Sequence, residues 1–105
     1  FNPGVVVPVV CHTECEDYTA GEISNAFPEC PGSHVDGARY HILSYLGSTW
    51  CGGSAPRFPD AFVAGYTQHV NQKGGVVTWD VPIGVNGLIP EVFTAQLTHL
   101  SRAID

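Results

Sequence analysis

The sequence has few charged residues, and very few of them are basic. Lys and Arg total four and Asp and Glu ten, so charged residues make up 13% of the 105-residue chain against 44% hydrophobic residues. A disordered chain has the opposite balance. A nucleic-acid-binding surface needs clustered Lys and Arg, which this chain lacks. The composition therefore argues against a nucleic-acid partner and predicts a packed domain.

Methionine and long hydrophobic runs are absent as well. Without a methionine, we expect a processed product or a piece of a longer protein. No apolar run approaches the roughly 20 residues of a membrane-spanning helix, so no membrane partner is expected. No signal peptide is recognisable, as expected where processing has removed it. At 11.2 kDa the chain can hold at most one domain, and we treat residues 1–105 as a single segment.

The four cysteines, Cys11, Cys15, Cys30 and Cys51, permit three disulfide connectivities. An even cysteine count in a chain rich in Gly and Pro is typical of secreted proteins. We therefore expect an extracellular protein whose loops are stapled by disulfides. The alternative is zinc, because Cys11, His12 and Cys15 are spaced as ligands; no second ligand pair follows, which disfavours a metal. No cofactor is predicted.

Strand-like and helix-like patterns alternate along the chain. Pro59 and Pro90 stand where helices begin, and Gly74 stands where the first helix ends. The predicted order is strand 1–10, long polar loop 11–38, strand 39–46, loop 47–57, helix 59–73, strand 76–81, a turn at Asn86-Gly87 and a helix from Pro90 to Ile104. Parallel-type strands with covering helices predict an α/β fold. The raw sheet edges predict the last three strands and helices of a (β/α)8 TIM-type barrel, or a small disulfide-stapled α/β domain if the chain is free-standing.

Several short motifs resemble one enzyme family. The run GVVTWD at 75–80, followed by NGLIP at 86–90, resembles the last strand and turn of the α-L-fucosidase family (glycoside hydrolase family 29). That family has a G-N-L-L-L-N strand and a G-P-x-x-D-G-x-I turn before its final helix. The stretch GSTWCG at 47–52 is similar to the family's G-x-S-W-G-Y loop. The resemblance covers residues 39–104.

The resemblance implies a (β/α)8 barrel that cleaves fucosides or related glycosides with retention, by an Asp nucleophile and a Glu acid/base. It places the nucleophile on an earlier strand, outside this chain. The family's acid/base Glu often lies beside an aromatic residue at the start of the strand that Tyr40 and His41 occupy here. His41 is not a carboxylate, and Asp80 stands where the family usually has Asn. A different acid would therefore have to serve in catalysis.

The acidic segment 14–22 offers the candidate catalytic acids Glu16, Asp17 and Glu22. A glycosidase needs two carboxyl groups, and residues that follow a barrel strand lie at its active face. Glu22 is the first choice because Gly21 would let the backbone approach a ligand closely. The alternative is a solvated acidic loop, since exposed acid clusters are common.

The candidate substrate-binding residues are Trp50, His41 and Asp80. Trp50 lies between small residues, where an indole can present a flat surface to the C–H face of a sugar; the alternative is a tryptophan that anchors its loop. His41 can exchange protons near neutral pH, although a strand histidine is more often simply hydrogen-bonded. Asp80 ends a strand and needs a partner such as Arg39 or a backbone N–H. The alternative for Asp80 is a structural role, since ion-pair networks also create perturbed carboxylates. Trp79, which alternates with Asp80, is predicted to face the core.

The leading prediction is the C-terminal third of a secreted, α-L-fucosidase-like glycosidase barrel, with a fucoside-like carbohydrate as its substrate and the missing N-terminal barrel portion as its partner. The first alternative is a non-enzymatic, disulfide-stapled module that self-associates through its open sheet edges. The second is a module that uses Trp50 to bind sugar without chemistry.

Overall fold

A computed structural model describes residues 17–104. Its elements are β1 (His34–Val35), β2 (Ala38–Arg39), β3 (His41–Tyr45), α1 (Asp60–Gln72), β4 (Val76–Asp80) and α2 (Glu91–Ile104). The predicted α/β class is confirmed. The described residues form two two-stranded sheets, β1–β2 and β3–β4, and they do not close a barrel. The strand predicted at 1–10 lies outside the described residues.

The strands β3 and β4 pair and run parallel. The Val76 N–H donates to the Tyr40 carbonyl at 3.0 Å, and the Leu46 N–H donates to the Asp80 carbonyl at 2.9 Å. Residue numbers rise along both strands from the first bond to the second, which defines a parallel pair. Since α1 connects the strands and α2 follows β4, the predicted strand–helix–strand–helix order is confirmed.

The segment 17–23 is extended beside β2 and β3, although the sequence predicts a loop there. Two isolated parallel bridges hold it, one of them between Glu22 and Leu43. Gly21 has a φ of 58°, and a Cβ on it would lie 1.8 Å from the carbonyl oxygen of His41. Only glycine lets the two backbones come this close. Gly21, which the sequence predicts to let the backbone approach a ligand closely, here approaches the backbone of a neighbouring strand.

A small hairpin also replaces the end of the predicted loop. β1 and β2 are antiparallel, with Val35 opposite Ala38. Asp36 and Gly37 between them have φ values of 50° and 88°. Positive φ at both central residues is typical of a two-residue type I′ turn, which suits the twist of paired strands.

Both helices begin after a proline, as predicted. The Pro59 carbonyl accepts the Phe62 N–H at 3.0 Å, and the Pro90 carbonyl accepts the Phe93 N–H at 3.0 Å. Gly74 ends the turn after α1 with a φ of 89°, a conformation that glycine adopts without strain. The predicted helix boundaries agree with the observed ones to within about one or two residues, the usual uncertainty of such limits.

The described residues divide into two units, one made of 17–44 and 69–78 and the other of 45–68 and 79–104. In the first unit, the largest buried side chains are those of Ile23, Phe27, Tyr40, Ile42 and Val70. In the second unit, a buried cluster is formed by Leu46, Val63, Ala64, Phe93 and Leu100. Burying a side chain of this kind contributes about 1.5–3 kcal/mol, so each unit is held mainly by its apolar residues.

A glutamine lies within the apolar stripe of α2. Gln96 is 1% exposed, and its Nε2 donates to the Phe58 carbonyl at 2.9 Å and to the Asp60 carboxylate at 3.1 Å. Both acceptors lie at the start of α1, so this side chain ties α2 to the first turn of α1. Ile104, predicted to belong to the stripe, is 43% exposed.

We predict that Gly21→Ala destabilises the protein more than Gly37→Ala does. Both glycines have positive φ, which costs an alanine about 1 kcal/mol. A Cβ meets nothing within 4 Å at Gly37 but overlaps the His41 carbonyl at Gly21. Overpacking should add a further 1–3 kcal/mol or so in the free energy of unfolding, measured by urea titration. Equal losses in the two variants would contradict the close approach.

Candidate functional site

In the second unit, side chains gather where β3 and β4 end. Tyr45 is the last residue of β3 and Asp80 the last residue of β4. Residues 47–57, here called the Trp50 loop, follow β3. Carboxyl ends of parallel strands are where α/β enzymes place their binding groups, because the connecting loops and the strand ends converge there.

The Trp50 indole packs against the ring of Tyr45. The ring centroids are 4.5 Å apart and the planes are tilted by 48°. Arg57 covers the Tyr45 ring at 3.6 Å, and its Nε donates to the Tyr45 carbonyl at 2.9 Å. The cation–π contact and the hydrogen bond together fix the Tyr45 ring. Trp50 therefore packs against a ring that is held in place, and it remains half-buried.

The Asp80 carboxylate holds the tip of the Trp50 loop. Its Oδ2 accepts the backbone N–H of Cys51 at 2.6 Å, and its Oδ1 accepts the Cys51 thiol at 3.4 Å. The partner of Asp80 is therefore a backbone N–H, one of the two kinds that the sequence predicts. Arg39, the other predicted partner, donates to the Gly74 carbonyl at 2.6 Å.

Cys51 has a strained backbone and an unreactive thiol. Its φ of 56° is rare for a residue with a Cβ, and such outliers persist where the surroundings fix them. The hydrogen bond to Asp80, followed by the charge of that carboxylate, raises the pKa of Cys51 above its ordinary value. The thiol therefore stays protonated at neutral pH and is a poor nucleophile. The group of Cys51 that contributes to the candidate site is its backbone N–H, because this N–H orients the Asp80 carboxylate.

Close backbone contacts make the Trp50 loop compact. A Cβ on Gly47 would lie 1.9 Å from the Gly52 carbonyl, and one on Gly53 would lie 2.4 Å from the Ser48 backbone N. An isolated bridge joins Thr49 to Gly52. The small residues that surround Trp50 in the sequence are therefore needed for the fold of the loop.

Trp79 belongs to the core, as predicted. It packs against the buried cluster of the second unit, and its indole N–H donates to the Thr67 hydroxyl at 2.9 Å. Asp80 is the next residue in β4, and alternation along a strand places its side chain on the opposite face.

His41 lies in the first unit and is hydrogen-bonded through both ring nitrogens. Nδ1 is 2.8 Å from the Thr19 carbonyl, and Nε2 is 2.9 Å from the Thr78 hydroxyl. The sequence indicates two roles for His41, a substrate contact or a strand histidine that is simply hydrogen-bonded. These contacts agree with the second role. Trp50 and Asp80 come together through the Trp50 loop, whereas His41 is part of a separate arrangement described below.

The acid candidates Asp17 and Glu22 are exposed residues of the first unit. Glu22 lies at the carboxyl end of the extended segment 17–23, which runs parallel to β3. Glu16, the third candidate, lies outside the described residues.

Cys30 and Cys51 are both free cysteines, so no disulfide joins these two loops. Burial raises the pKa of the Cys30 thiol, against the smaller opposing effects of a backbone hydrogen bond at Gly32 and of the Lys73 charge. Cys11 and Cys15 lie outside the described residues, and their part in the predicted disulfides stays a prediction.

The sequence alone does not identify four residues that hold the candidate site residues in place: Tyr45, Arg57, Thr19 and Thr78. Tyr45 carries a signal, since it ends the apolar strand and lies two residues before the loop that resembles the fucosidase motif. Arg57 lies 12 residues beyond the carbonyl to which it donates, and only the folded loop brings the two together. The two threonines flank His41 from distant parts of the chain and carry no local signal.

Within residues 17–104, no group of three or more His, Cys, Asp or Glu side chains is arranged to hold a metal ion. Neither described helix has the length and apolar character that crossing a membrane requires.

A scan against protein-family models gave no match, and comparisons with curated proteins and with solved structures gave none either. The likeness to α-L-fucosidases therefore rests on the residues of this chain alone.

We predict that Asp80→Asn makes Cys51 more reactive. The amide keeps an oxygen for the Cys51 N–H but removes the charge, so the pKa of Cys51 should fall toward its ordinary value. The thiolate fraction at pH 8 then rises, and with it the rate of alkylation by iodoacetamide, followed by peptide mass spectrometry. Cys30 in the same sample is the control, because Asp80 is not among the causes of its shift. An unchanged or slower rate at Cys51 would show that Asp80 does not control this thiol.

Proposed function

We propose that this chain supplies part of the carbohydrate site of a secreted glycoside hydrolase related to the α-L-fucosidases. One observation carries the proposal. In the second unit, the half-buried Trp50 indole and the Asp80 carboxylate follow the carboxyl ends of two parallel strands, and the carboxylate accepts the N–H of Cys51, the residue after Trp50. Sugar sites in barrel enzymes need both kinds of group at that end of the strands.

Trp50 is the proposed stacking surface. Aromatic rings receive the apolar C–H face of a sugar, and a ring that is already held loses little conformational freedom on binding. Trp50 is held by Tyr45 on one side and by the Cys51–Asp80 hydrogen bond at the next residue. The indole is thus pre-organised and still half-exposed.

Asp80 is the proposed acceptor for sugar hydroxyl groups. An ionised carboxylate has about four lone-pair sites, and the two contacts with Cys51 use two of them. The remaining sites can accept hydroxyl protons from a ligand that lies on Trp50. Hydrogen bonds to a charged acceptor are stronger than those between neutral groups, so the carboxylate adds affinity as well as orientation.

The topology supports a place in a larger barrel. The order β3–α1–β4–α2 with parallel strands is the repeating unit of (β/α)8 barrels. β3 alternates between buried and half-buried residues. A strand of this kind has one face covered by the protein's own core and one that further strands could cover. In this proposal, Glu22, Asp17 and Glu16 are the acids of this chain that are available for catalysis, and the nucleophile lies on an earlier strand.

Self-association remains the second candidate, and an exposed apolar patch favours it. The connection between β4 and α2, together with the first turn of α2, exposes Ile83, Val85, Leu88, Ile89 and Val92. Clustered exposed apolar side chains mark interaction surfaces more often than isolated ones do. Sedimentation velocity tests self-association. Oligomers of the parent chain that dissociate in a Val85→Asp, Leu88→Asp variant would support it, and a parent chain that is monomeric at all concentrations would reject it.

We predict that Trp50→Ala weakens the binding of methyl α-L-fucopyranoside to the intact chain about tenfold or more. Removing the ring removes apolar contact of about 1.5 kcal/mol or more. Trp50→Phe is the matched control, since it keeps an aromatic face and should bind within about threefold of the parent. Affinity is measured by isothermal titration calorimetry. Equal binding by the parent and Trp50→Ala would reject Trp50 as the sugar platform.

A further inference from the structure

A concave site lies within the first unit. It is an open cleft of about 380 Å³, lined by Tyr18, His41, Val76 and Thr78. Small-molecule sites span about 300–1,000 Å³, so the cleft can accept a ligand of one saturated ring.

The hydrogen bonds of His41 settle where its proton lies. A carbonyl oxygen can only accept, so the contact of Nδ1 with the Thr19 carbonyl at 2.8 Å places the proton of the neutral ring on Nδ1. Nε2 then carries a lone pair and must accept. Its partner at 2.9 Å is the Thr78 hydroxyl, which therefore donates its only proton to His41.

The group that orients His41 is rigid. The Thr19 hydroxyl donates to the His41 carbonyl at 2.9 Å and accepts the His41 N–H at 2.9 Å. Thr19 is 1% exposed, and Gly21 follows with its close approach to the same carbonyl. Two reciprocal bonds and a backbone contact thus fix the Thr19 carbonyl, and with it the imidazole ring.

In the cleft, the Thr78 hydroxyl oxygen can accept a hydrogen bond from a ligand but cannot donate one. Because the Thr78 proton is committed to His41, the exposed Thr78 oxygen presents only lone pairs to a ligand. A ligand must therefore donate to it. Val76 and the exposed ring of Tyr18 add apolar surface, and none of the described lining residues has a carboxylate, ammonium or guanidinium group.

We propose that this cleft binds a neutral saturated ring bearing hydroxyl groups, a cyclic polyol or pyranoside, with one ligand hydroxyl donating to Thr78 Oγ1. The site does not depend on Trp50 or on the proposed glycosidase function. Apolar ring faces lie against Val76 and Tyr18, and the hydroxyl that reaches Thr78 fixes the orientation.

The test compares two probes that share one saturated ring. trans-1,2-Cyclohexanediol has hydroxyl donors, whereas trans-1,2-dimethoxycyclohexane has the same ring and only acceptors. Each is titrated into the intact chain at pH 8 while the NMR signals of the His41 imidazole are followed. We expect saturable shifts with the diol and binding about three- to tenfold weaker with the diether, as expected for the loss of one hydrogen bond.

Two variants assign the effect to the Thr78 oxygen. Thr78→Val keeps the branched shape and removes the oxygen, so diol affinity should fall about three- to tenfold. Thr78→Ser keeps the oxygen and should bind within about twofold of the parent. Circular dichroism checks that both variants fold, and Trp50→Ala should leave diol binding unchanged. Equal affinity for diol and diether, no saturable shift in the parent, or undiminished binding by a folded Thr78→Val variant would overturn the proposal.

Discussion

Parallel hydrogen bonding along both edges of β3 is the constraint on which the described structure depends. On one edge, the Ile23 N–H donates to the Leu43 carbonyl and the Leu43 N–H donates to the Gly21 carbonyl, both at 2.9 Å. On the other edge, β4 pairs through Val76 and Asp80. A backbone group buried without such a partner costs free energy, so a central strand bonded on both sides fixes the register of its neighbours. Register, in turn, decides which side chains of each strand face the core.

The two sites follow from that pairing in different ways. In the second unit, the pairing of Leu46 with Asp80 places the carboxylate beside the loop that follows β3, where the Cys51 N–H binds it. In the first unit, the close approach at Gly21 brings the Thr19 carbonyl to the ring of His41. Each site therefore consists of a side chain held by the backbone of a neighbouring segment. Groups held in this way need little rearrangement on binding, which favours affinity.

The sequence predicts the regular elements well and the long-range contacts poorly. Helix limits follow from Pro59, Gly74 and Pro90, since these residues act through their own backbone geometry. The hairpin at Asp36-Gly37 also has a local signal, a strong one for a type I′ turn, but the polar surroundings favoured a loop in the prediction.

Candidate site residues were predictable only where the local sequence around each of them marks it. Trp50 and Asp80 follow from a loop and a strand end, and the need of Asp80 for a backbone N–H follows from its chemistry. The contacts between Thr19 and His41 and between His41 and Thr78 join residues 22 and 37 positions apart. No period or spacing in the sequence encodes such contacts, because the register between strands decides them.

Trp50 is the proposed sugar-binding surface, whereas Trp79 packs against the core. The two indole N–H groups give separate signals in the NMR spectrum of the 15N-labelled chain, so a titration with methyl α-L-fucopyranoside observes both side chains at once. The account predicts a saturable shift of the Trp50 signal and little change at Trp79, whose N–H is bonded to Thr67. The absence of a shift at Trp50, or equal shifts at both, would contradict it.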